Sequence, residues 1–262
     1  MAQETYASPG IASETYDALG RMHLHIDGAR SYPRVLEVVQ ALEKRGNPGR
    51  FDEVLSSVSG PQRGLLPETY ESHTPTIDGK EAFDFFSTSL MKDRADAINA
   101  VNVVSHMLSD ADGAIVELEQ VVGLIDPAGR ERWIPEKRHA RPILPGEASP
   151  VPSPSLKFEV HHGFEVSGEL ARKISLEILR DRCTKAGIMF GGWFVFENEG
   201  KQSFWSNAFT DTTGDTLQTF VSRERALLKG LLRDIGLEKI SLQTLVERVV
   251  GIWHVGSSEG NR

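Results

Sequence analysis

The chain has 262 residues, of which 39% are hydrophobic and 25% are charged, and its formal net charge is −8. This composition is typical of a soluble globular protein and excludes a fibrous or disordered chain. The acidic balance and the absence of a long run of Lys or Arg argue against nucleic acid as a partner.

Cys183 is the only cysteine, which excludes an intramolecular disulfide and a zinc cluster built on cysteines. It falls in a predicted helix, where we expect a small packing residue. No segment reaches the roughly 18 consecutive apolar residues of a membrane-spanning helix, and the N-terminus lacks a signal-peptide pattern. The sequence therefore predicts a cytoplasmic protein that is not inserted in a membrane.

The length favours two domains, because a domain typically has about 100 to 200 residues. A Pro-rich stretch without hydrophobic periodicity separates two regularly patterned segments, and such stretches tend to stay extended. The predicted organisation is an N-terminal arm at 1–19, an αβ domain at 20–126, a linker at 127–155 and a second αβ domain at 156–262.

In the first domain, alternating apolar and polar residues predict strands, and apolar residues three and four apart predict helices. The middle of this domain is rich in Gly, Pro and Ser and is poorly defined. In chain order, the predicted elements are a strand at Met22–Asp27, a helix at 33–46, a strand at 72–77, one long helix or two abutting helices at 80–108, and a strand at Ala114–Ile125.

The second domain shows a clearer pattern, in the β-α-β-β-α-β order of the ferredoxin-like split arrangement. Its predicted elements are a strand at 156–166, a helix from a Ser167 cap to Ala186, hairpin strands at 188–196 and 202–209, a helix at 215–232, a short helix at 239–249 and a strand at 249–255. The predicted fold class is α+β with two tandem αβ domains, the first a diverged copy of the second. Because both faces of the strand at 188–196 are apolar, we expect it to be central and covered on both faces.

The first predicted strand presents His23, His25 and Asp27 on one face, because successive side chains of a strand point to opposite faces. In a ferredoxin-like unit the last strand lies antiparallel to the first, which brings Glu117 and Glu119 beside them. Two imidazoles with carboxylates suit Zn, Mn or Fe, so the candidate metal ligands are His23, His25, Asp27 and Glu119. The alternative is a set of cross-strand His–Glu and His–Asp pairs on a solvated sheet face.

The segment HLHIDGA at 23–29 resembles the H-x-H-x-D-G-A signature of the adenosine deaminase branch of the amidohydrolases. The resemblance implies two zinc-binding histidines at the end of the first strand of an eight-stranded barrel. It covers only this short segment. The downstream H-A-G-E-like segment, the further metal histidine and the late Asp-Asp pair of that family are not found. No residue role is therefore carried over from it.

The second domain supplies candidate ligand- or partner-binding residues. His161 shares a strand face with Glu159, whereas His162 lies on the other face and is expected to be a hydrogen-bonded core histidine. Aromatic and amide side chains alternate before a Thr- and Asp-rich loop, and a late histidine is expected near the first strand of its domain. These candidates are His161, Trp205, Asn207 and His254.

Two functions follow from these patterns. The first is binding of a protein partner, a second copy or a ligand through the sheet faces, in an assembly or regulatory role, because catalytic motifs are missing. The second is a metal-dependent hydrolase or lyase in which His23 and His25 bind the metal and Asp27 or Glu119 is a ligand or base. Its nucleophile would be a metal-activated water.

Overall fold

The computed structural model describes residues 19–27, 76–77, 80–81, 84–85, 94–111, 114–148, 152, 158–167, 170, 174–196 and 201–255. The predicted arm up to residue 18 and the helix predicted at 33–46 lie outside these ranges. Mixed helix and strand content confirms the α+β class. None of the described helices is long and apolar enough to cross a membrane.

Strands and helices occupy the following bounds in the described residues. The strands are β1 Met22–Asp27, β2 Thr76–Ile77, β3 Lys80–Glu81, β4 Asp84–Phe85, β5 Ala114–Ile125, β6 Glu131–Trp133, β7 Phe158–Ser167, β8 Met189–Phe196, β9 Lys201–Thr210 and β10 Gln243–Val255. The helices are α1 Arg94–Met107, α2 Leu176–Ala186 and α3 Gly214–Asp234, with one 3-10 turn at Glu136–Arg138.

One antiparallel sheet joins the two halves of the chain. Its strand order is β4-β1-β5-β10-β7-β9-β8, and β6 pairs with β5 beyond the end of β1. The short strands β2 and β3 form a separate hairpin. The last strands of the two halves, β5 and β10, pair at the centre, so that residues from both halves meet on the same sheet faces.

The helices cover one face of this sheet. Helix α1 packs on Leu24 and Leu118 in one core cluster, and α3 packs through Leu217 and Val221 on Val160 in another. Side chains alternate along a strand, so the residues next to these core positions point to the opposite face. That second face carries the polar residues described below.

Several sequence predictions are confirmed. The strands at Met22–Asp27 and Ala114–Ile125 have the predicted bounds, and the predicted hairpin is the antiparallel pair β8–β9. The predicted helix at 215–232 is α3, within two residues at either end. Cys183 is fully buried on α2, as expected for a packing residue, and its burial raises the pKa of the thiol to about 11.

The helix predicted over 80–108 is wrong in its first part. Residues 80–81 and 84–85 are strand, and Ile26 of β1 lies opposite Phe85 in the sheet. The helix begins only at Arg94. The apolar spacing that fits a helix was overridden by pairing with the free edge of β1, a tertiary contact that local periodicity does not encode.

The predicted cap, Ser167, is the last residue of β7, and Leu170 after it is helical, with residues 168–169 outside the described part of the structure. Helix α2 has its own cap, Ser175, whose hydroxyl accepts a hydrogen bond from the backbone N–H of Ile178. The predicted helix up to Ala186 therefore has a coil break at residues 174–175, before α2 begins.

The short helix predicted at 239–249 is replaced by strand, since β10 runs from Gln243 to Val255. This strand is hydrogen-bonded on both sides, to β5 and to β7. Its β-branched residues suit such a central position, and the ladder on two edges outweighs the helical spacing of its leucines. The change matters because Glu247 then becomes a strand residue at the centre of the sheet.

Two further expectations about packing need correction. The strand predicted to be central, β8, is the last strand on its side of the described sheet. The Pro-rich stretch at 127–155 holds β6 and packs locally, with Ile143 buried and its N–H donating to the carbonyl of Val250. Ile143 packs in the same core cluster as Val250, a contact that the composition of the stretch does not predict. The division into two domains stays a prediction.

His162 is a core histidine, in agreement with its position in the sequence. Its Nδ1 lies 2.8 Å from the hydroxyl of Thr244, which also accepts a 2.6 Å hydrogen bond from Arg225. Because the guanidinium only donates, the Thr244 hydroxyl is free to donate to Nδ1. Burial and then the nearby Arg225 charge lower the pKa of His162 to about 3, so this imidazole is neutral.

We expect Thr244→Val to lower the free energy of unfolding by about 2 to 3 kcal/mol. The substitution removes the hydroxyl that donates to Nδ1 of His162 and that accepts from Nη1 of Arg225, so that two buried polar atoms lose a partner. Urea unfolding measures this change. The matched control is Thr184→Val, which removes an exposed hydroxyl that donates within α2. Equal losses in the two variants would contradict the structural role of the buried hydroxyl.

Candidate metal centre

Four adjacent strands place imidazole and carboxylate side chains on the sheet face opposite the helices. His23 of β1 lies opposite Glu119 of β5, and Glu247 of β10 lies opposite Glu159 of β7. His25 lies opposite Glu117, which confirms the predicted neighbourhood of the first and last strands of the first half. The register of the sheet therefore gathers residues that are up to 224 positions apart in the chain.

Six of these side chains form a compact group, which we call the His/Glu cluster: His23, His25, Glu119, Glu159, His161 and Glu247. Nδ1 of His23 lies 2.7 Å from Oε1 of Glu247, and Nε2 of His25 lies 3.0 Å from Oε2 of Glu119. Nε2 of His161 lies 3.2 Å from Oε2 of Glu247 and 3.7 Å from Oε1 of Glu159.

The cluster is buried. Glu119 and Glu247 are 0% exposed, His161 is 4% exposed, and the most accessible side chain, that of His25, is only 12% exposed. Removing several carboxylates from water costs several kcal/mol for each ion unless the charge is compensated. The carboxyl groups must therefore either keep their protons or lie beside a positive charge.

Many polar atoms of the cluster lack a hydrogen bond, although they are fully shielded from solvent. These atoms are His23 Nε2, both oxygens of Glu119, His161 Nε2 and Glu247 Oε2. Two of them, Nε2 of His161 and Oε2 of Glu247, lie 3.2 Å apart, and Oε2 of Glu119 lies 3.0 Å from Nε2 of His25. Buried imidazole and carboxylate atoms that converge with several hydrogen-bonding positions unsatisfied are suited to hold a cation in place of protons.

Two overlapping groups of ligand atoms have the spacing that a cation needs. The first group has one atom from each of four residues, all within 4.8 Å of one another: His23, His25, Glu119 and Glu247. The second group meets the same limit with atoms from Glu119, Glu159 and His161. Two imidazole nitrogens bound to one zinc ion at about 2.0 to 2.1 Å are roughly 3.0 to 3.4 Å apart. His25 Nε2 and His23 Nδ1 are 3.0 Å apart.

The pKa values show how strongly the carboxyl groups compete for positive charge. Burial and then the charge of Glu247 raise the pKa of Glu119 well above its usual value, and burial raises the pKa of Glu159 to about 8. Burial also opposes ionisation of Glu247, but His23 and His161 outweigh it and hold the pKa of Glu247 well below the usual range. The carboxylates of Glu159, Glu247 and Glu119 outweigh burial at His161 and raise its pKa to about 10. At neutral pH Glu247 is therefore ionised, whereas Glu119 and Glu159 keep their protons unless another positive charge takes their place.

Asn207 orients His161. Its Oδ1 lies 3.0 Å from Nδ1 of His161, and because an amide oxygen only accepts, Nδ1 carries the proton and donates. Nε2 is left to face Glu247 and Glu159. The ring of Trp205 stands edge-on to His161 at 6.4 Å between ring centroids and lies closely over Gly163. These contacts fix the imidazole, as neighbours of metal ligands usually do.

The structure brings together most of the predicted site residues. His23, His25 and Glu119 converge, and His161 joins them with Asn207 and Trp205 at its side; the side chain of Asp27 lies outside the described part of the structure. His254 is exposed and lies opposite Ile115 of β5, so its predicted position beside the first strand of its own domain is wrong. Strand β7 has already ended its pairing with β10 at Arg248.

Sequence reasoning missed Glu247, because its segment was predicted to be helical. A signal for it was present. The segment LEQVVGLI at 118–125 recurs as VERVVGIW at 246–253, and the repeat aligns Glu119 with Glu247. A comparison of the two halves would have marked Glu247 as the counterpart of a residue already chosen as a ligand.

The chain matches no protein-family model, and no curated protein matches it significantly. Every pairing between strands of the large sheet is antiparallel, unlike the barrel that the resemblance of HLHIDGA implies. The interpretation of the cluster therefore depends on its geometry alone.

We expect Glu119→Gln to raise the melting temperature of the metal-free protein by about 2 to 4 °C, which corresponds to about 1 kcal/mol for a chain of this size. A raised carboxyl pKa means that folding costs free energy at neutral pH, where the unfolded chain keeps this group ionised. Gln keeps the shape and removes that cost. Thermal unfolding in a chelating buffer measures the shift.

The control is Glu238→Gln, which makes the same chemical change at an exposed position. A melting temperature that falls in Glu119→Gln, with no change in the control, would show that the carboxylate stabilises the metal-free fold.

Proposed function

We propose that the His/Glu cluster binds a divalent metal ion and that the protein is a metal-dependent hydrolase or lyase. One observation carries this proposal: imidazole and carboxylate atoms from four strands converge in a buried place where several of them have no hydrogen-bond partner. A protein that needed only stability would gain more from apolar residues there, because replacing buried ion pairs by well-packed apolar groups is often stabilising.

The ligand set indicates which metals fit. His23, His25, Glu119 and Glu247 offer two nitrogen and two oxygen donors, a mixture that suits Zn, Mn or Fe. Thiolates are excluded from this set, because the single cysteine is buried on α2, in another core cluster. The hard oxygen-only environment that Ca²⁺ and Mg²⁺ prefer is not provided by these four residues.

A divalent ion held in this place would lower the pKa of a bound water and so supply a nucleophile or base at neutral pH. The chain's own residues would exclude bulk water and fix the ligands, since most of the cluster is buried and Asn207 holds His161. His25 is the most accessible member, and the partly exposed Glu117 lies opposite it in the sheet. The side of β1 is therefore where a substrate would approach.

The fold proposal is that the two halves are tandem ferredoxin-like units. In the second half, the elements β7-α2-β8-β9-α3-β10 with the strand order β10-β7-β9-β8 support this arrangement. In the first half, β5 follows α1 and lies beside β1, with β4 on the other side of β1. The repeated segments at 118–125 and 246–253 support a duplication.

Partner binding through the sheet faces, a homo-oligomer and a cytoplasmic location stay predictions from the sequence. The exposed face of His254 and the exposed ring of Phe209 are compatible with a partner. The convergent buried ligand atoms, in contrast, have no role in such a function. The metal proposal is therefore the one that explains the cluster.

We expect the purified protein to contain Zn, Mn or Fe, and the variants His23→Ala and His25→Ala to lose the ion that these histidines bind. Each variant removes an imidazole ligand and leaves fewer donors than a stable site needs. Elemental analysis by mass spectrometry measures the metal per chain. His254→Ala is the matched control, because it removes an exposed histidine outside the cluster.

A metal content that is far below one ion per chain, and unchanged in His23→Ala and His25→Ala, would refute metal binding. Catalysis is tested separately with activated ester and phosphodiester probes. Turnover that disappears on chelation and returns with metal in the wild type, but not in His25→Ala, is expected. Turnover that survives chelation would refute metal-dependent hydrolysis of those probes.

His161 belongs to the second group of ligand atoms, with Glu119 and Glu159. We expect Asn207→Leu to weaken metal binding at this group by about 10- to 100-fold, because loss of an acceptor next to a metal-binding histidine typically has this effect. The measurement is competition with a chelator of known affinity. Asn207→Asp restores an acceptor oxygen at the same place and should bind metal more tightly than Asn207→Leu. Equal affinities in wild type and Asn207→Leu would show that Asn207 does not position His161.

A further inference from the structure

The central pairing of β5 with β10 has a local two-fold character. Glu119 lies opposite Val249 and Glu247 lies opposite Val121, so each strand places its glutamate across from the other strand's valine. Register shifts flank this segment and leave one residue unpaired on each strand, Val122 on β5 and Val250 on β10. Adding 128 to a β5 position gives its β10 counterpart, both for the glutamates and for the unpaired valines.

The sequence repeats in the same alignment. Glu119, Val121, Val122 and Gly123 recur as Glu247, Val249, Val250 and Gly251. Both glycines lie under a tryptophan ring, which approaches within 2.5 Å and 2.6 Å of where a Cβ would be. Register, irregularities and sequence therefore agree on one correspondence between the two halves.

The outer strands extend this correspondence to the other members of the cluster. His23 lies opposite Glu119, and Glu159 lies opposite Glu247, so Glu159 takes the place of His23. Two residues further along each strand, His25 corresponds to His161. The His/Glu cluster therefore consists of two three-residue sets: His23, His25 and Glu119 in the first half, and Glu159, His161 and Glu247 in the second.

Equivalent contacts have similar lengths. Nε2 of His25 lies 3.0 Å from Oε2 of Glu119, and Nε2 of His161 lies 3.2 Å from Oε2 of Glu247. The same pair of atoms makes each contact. Each half thus supplies one imidazole–carboxylate pair. The additional donor beside the pair is His23 in the first half and Glu159 in the second.

Glu247 also faces both halves. Its Oε1 is 2.7 Å from Nδ1 of His23, and its Oε2 is 3.2 Å from Nε2 of His161. Glu119 belongs to both groups of ligand atoms, with His23 and His25 in one and with Glu159 and His161 in the other. A carboxylate whose two oxygens serve two different sets of donors is the usual bridge between two metal ions about 3.5 to 4 Å apart.

We infer that the cluster is a two-cation centre, with one subsite at His23 and His25, a second at Glu159 and His161, and Glu119 and Glu247 shared between them. This inference rests on the proposed function, because it assumes metal at the cluster. It adds the second ion, the bridging role of the two central glutamates and the assignment of one subsite to each half of the chain.

The test is a titration of the chelator-treated, full-length protein with Mn²⁺ alone. We expect two ions per chain by equilibrium dialysis, and a low-temperature EPR spectrum in which exchange coupling broadens the six-line Mn²⁺ signal. His161→Ala, and the conservative Glu159→Gln, should bind one ion and show an uncoupled six-line signal. His25→Ala should also bind one ion, in the other subsite, and His254→Ala should keep two coupled ions.

One ion per chain in the wild type would overturn the two-cation centre and leave the proposed metal function standing. No bound Mn²⁺ would overturn the two-cation centre, and together with the absence of Zn, Mn and Fe from the purified protein it would overturn both. Two bound ions whose EPR spectrum shows no exchange coupling would contradict the sharing of Glu119 and Glu247 between the two subsites. Because the wild-type stoichiometry and coupling decide these outcomes, the test does not depend on the folding of any variant, and near-ultraviolet circular dichroism identifies a variant that has lost its fold.

Discussion

The pairing of β5 with β10 is the constraint on which the rest of the structure depends. It joins the two halves into one sheet and places Glu119 and Glu247 near each other on the face opposite the helices. A shift by one residue would turn both carboxylates towards the helix-covered core. The unpaired Val122 and Val250 flank the segment, and such irregularities commonly re-aim side chains next to functional sites.

The cluster and the surrounding core make opposite energetic contributions. Core residues such as Leu24, Leu118 and Trp253 are fully buried and stabilise the fold in the ordinary way. Glu119 and Glu159 instead have raised pKa values, so their burial opposes folding at neutral pH. A ligand that binds only the folded state would reverse this cost, because its binding free energy adds to stability.

Sequence patterns predicted the parts of the site that depend on local periodicity. Alternation along Met22–Asp27 predicted the strand face with His23 and His25. The antiparallel pairing of the first and last strands in a ferredoxin-like unit predicted Glu119 as their neighbour. Glu247 could not be found by periodicity, because its segment forms a strand only through pairing on both edges. The edge position of β8 and the packing of the Pro-rich stretch likewise depend on tertiary contacts that no local pattern encodes.

The two halves of the cluster differ at one position, and this difference has a chemical consequence. The first half has an imidazole at His23 where the second half has a carboxylate at Glu159. Imidazole suits Zn and Fe, whereas carboxylate suits Mn and other harder ions. The other donors correspond in pairs, His25 with His161 and Glu119 with Glu247. The two sets therefore differ in donor type only at His23 and Glu159. The two subsites of the proposed two-cation centre would therefore be alike in backbone position and different in the metal that their donors prefer.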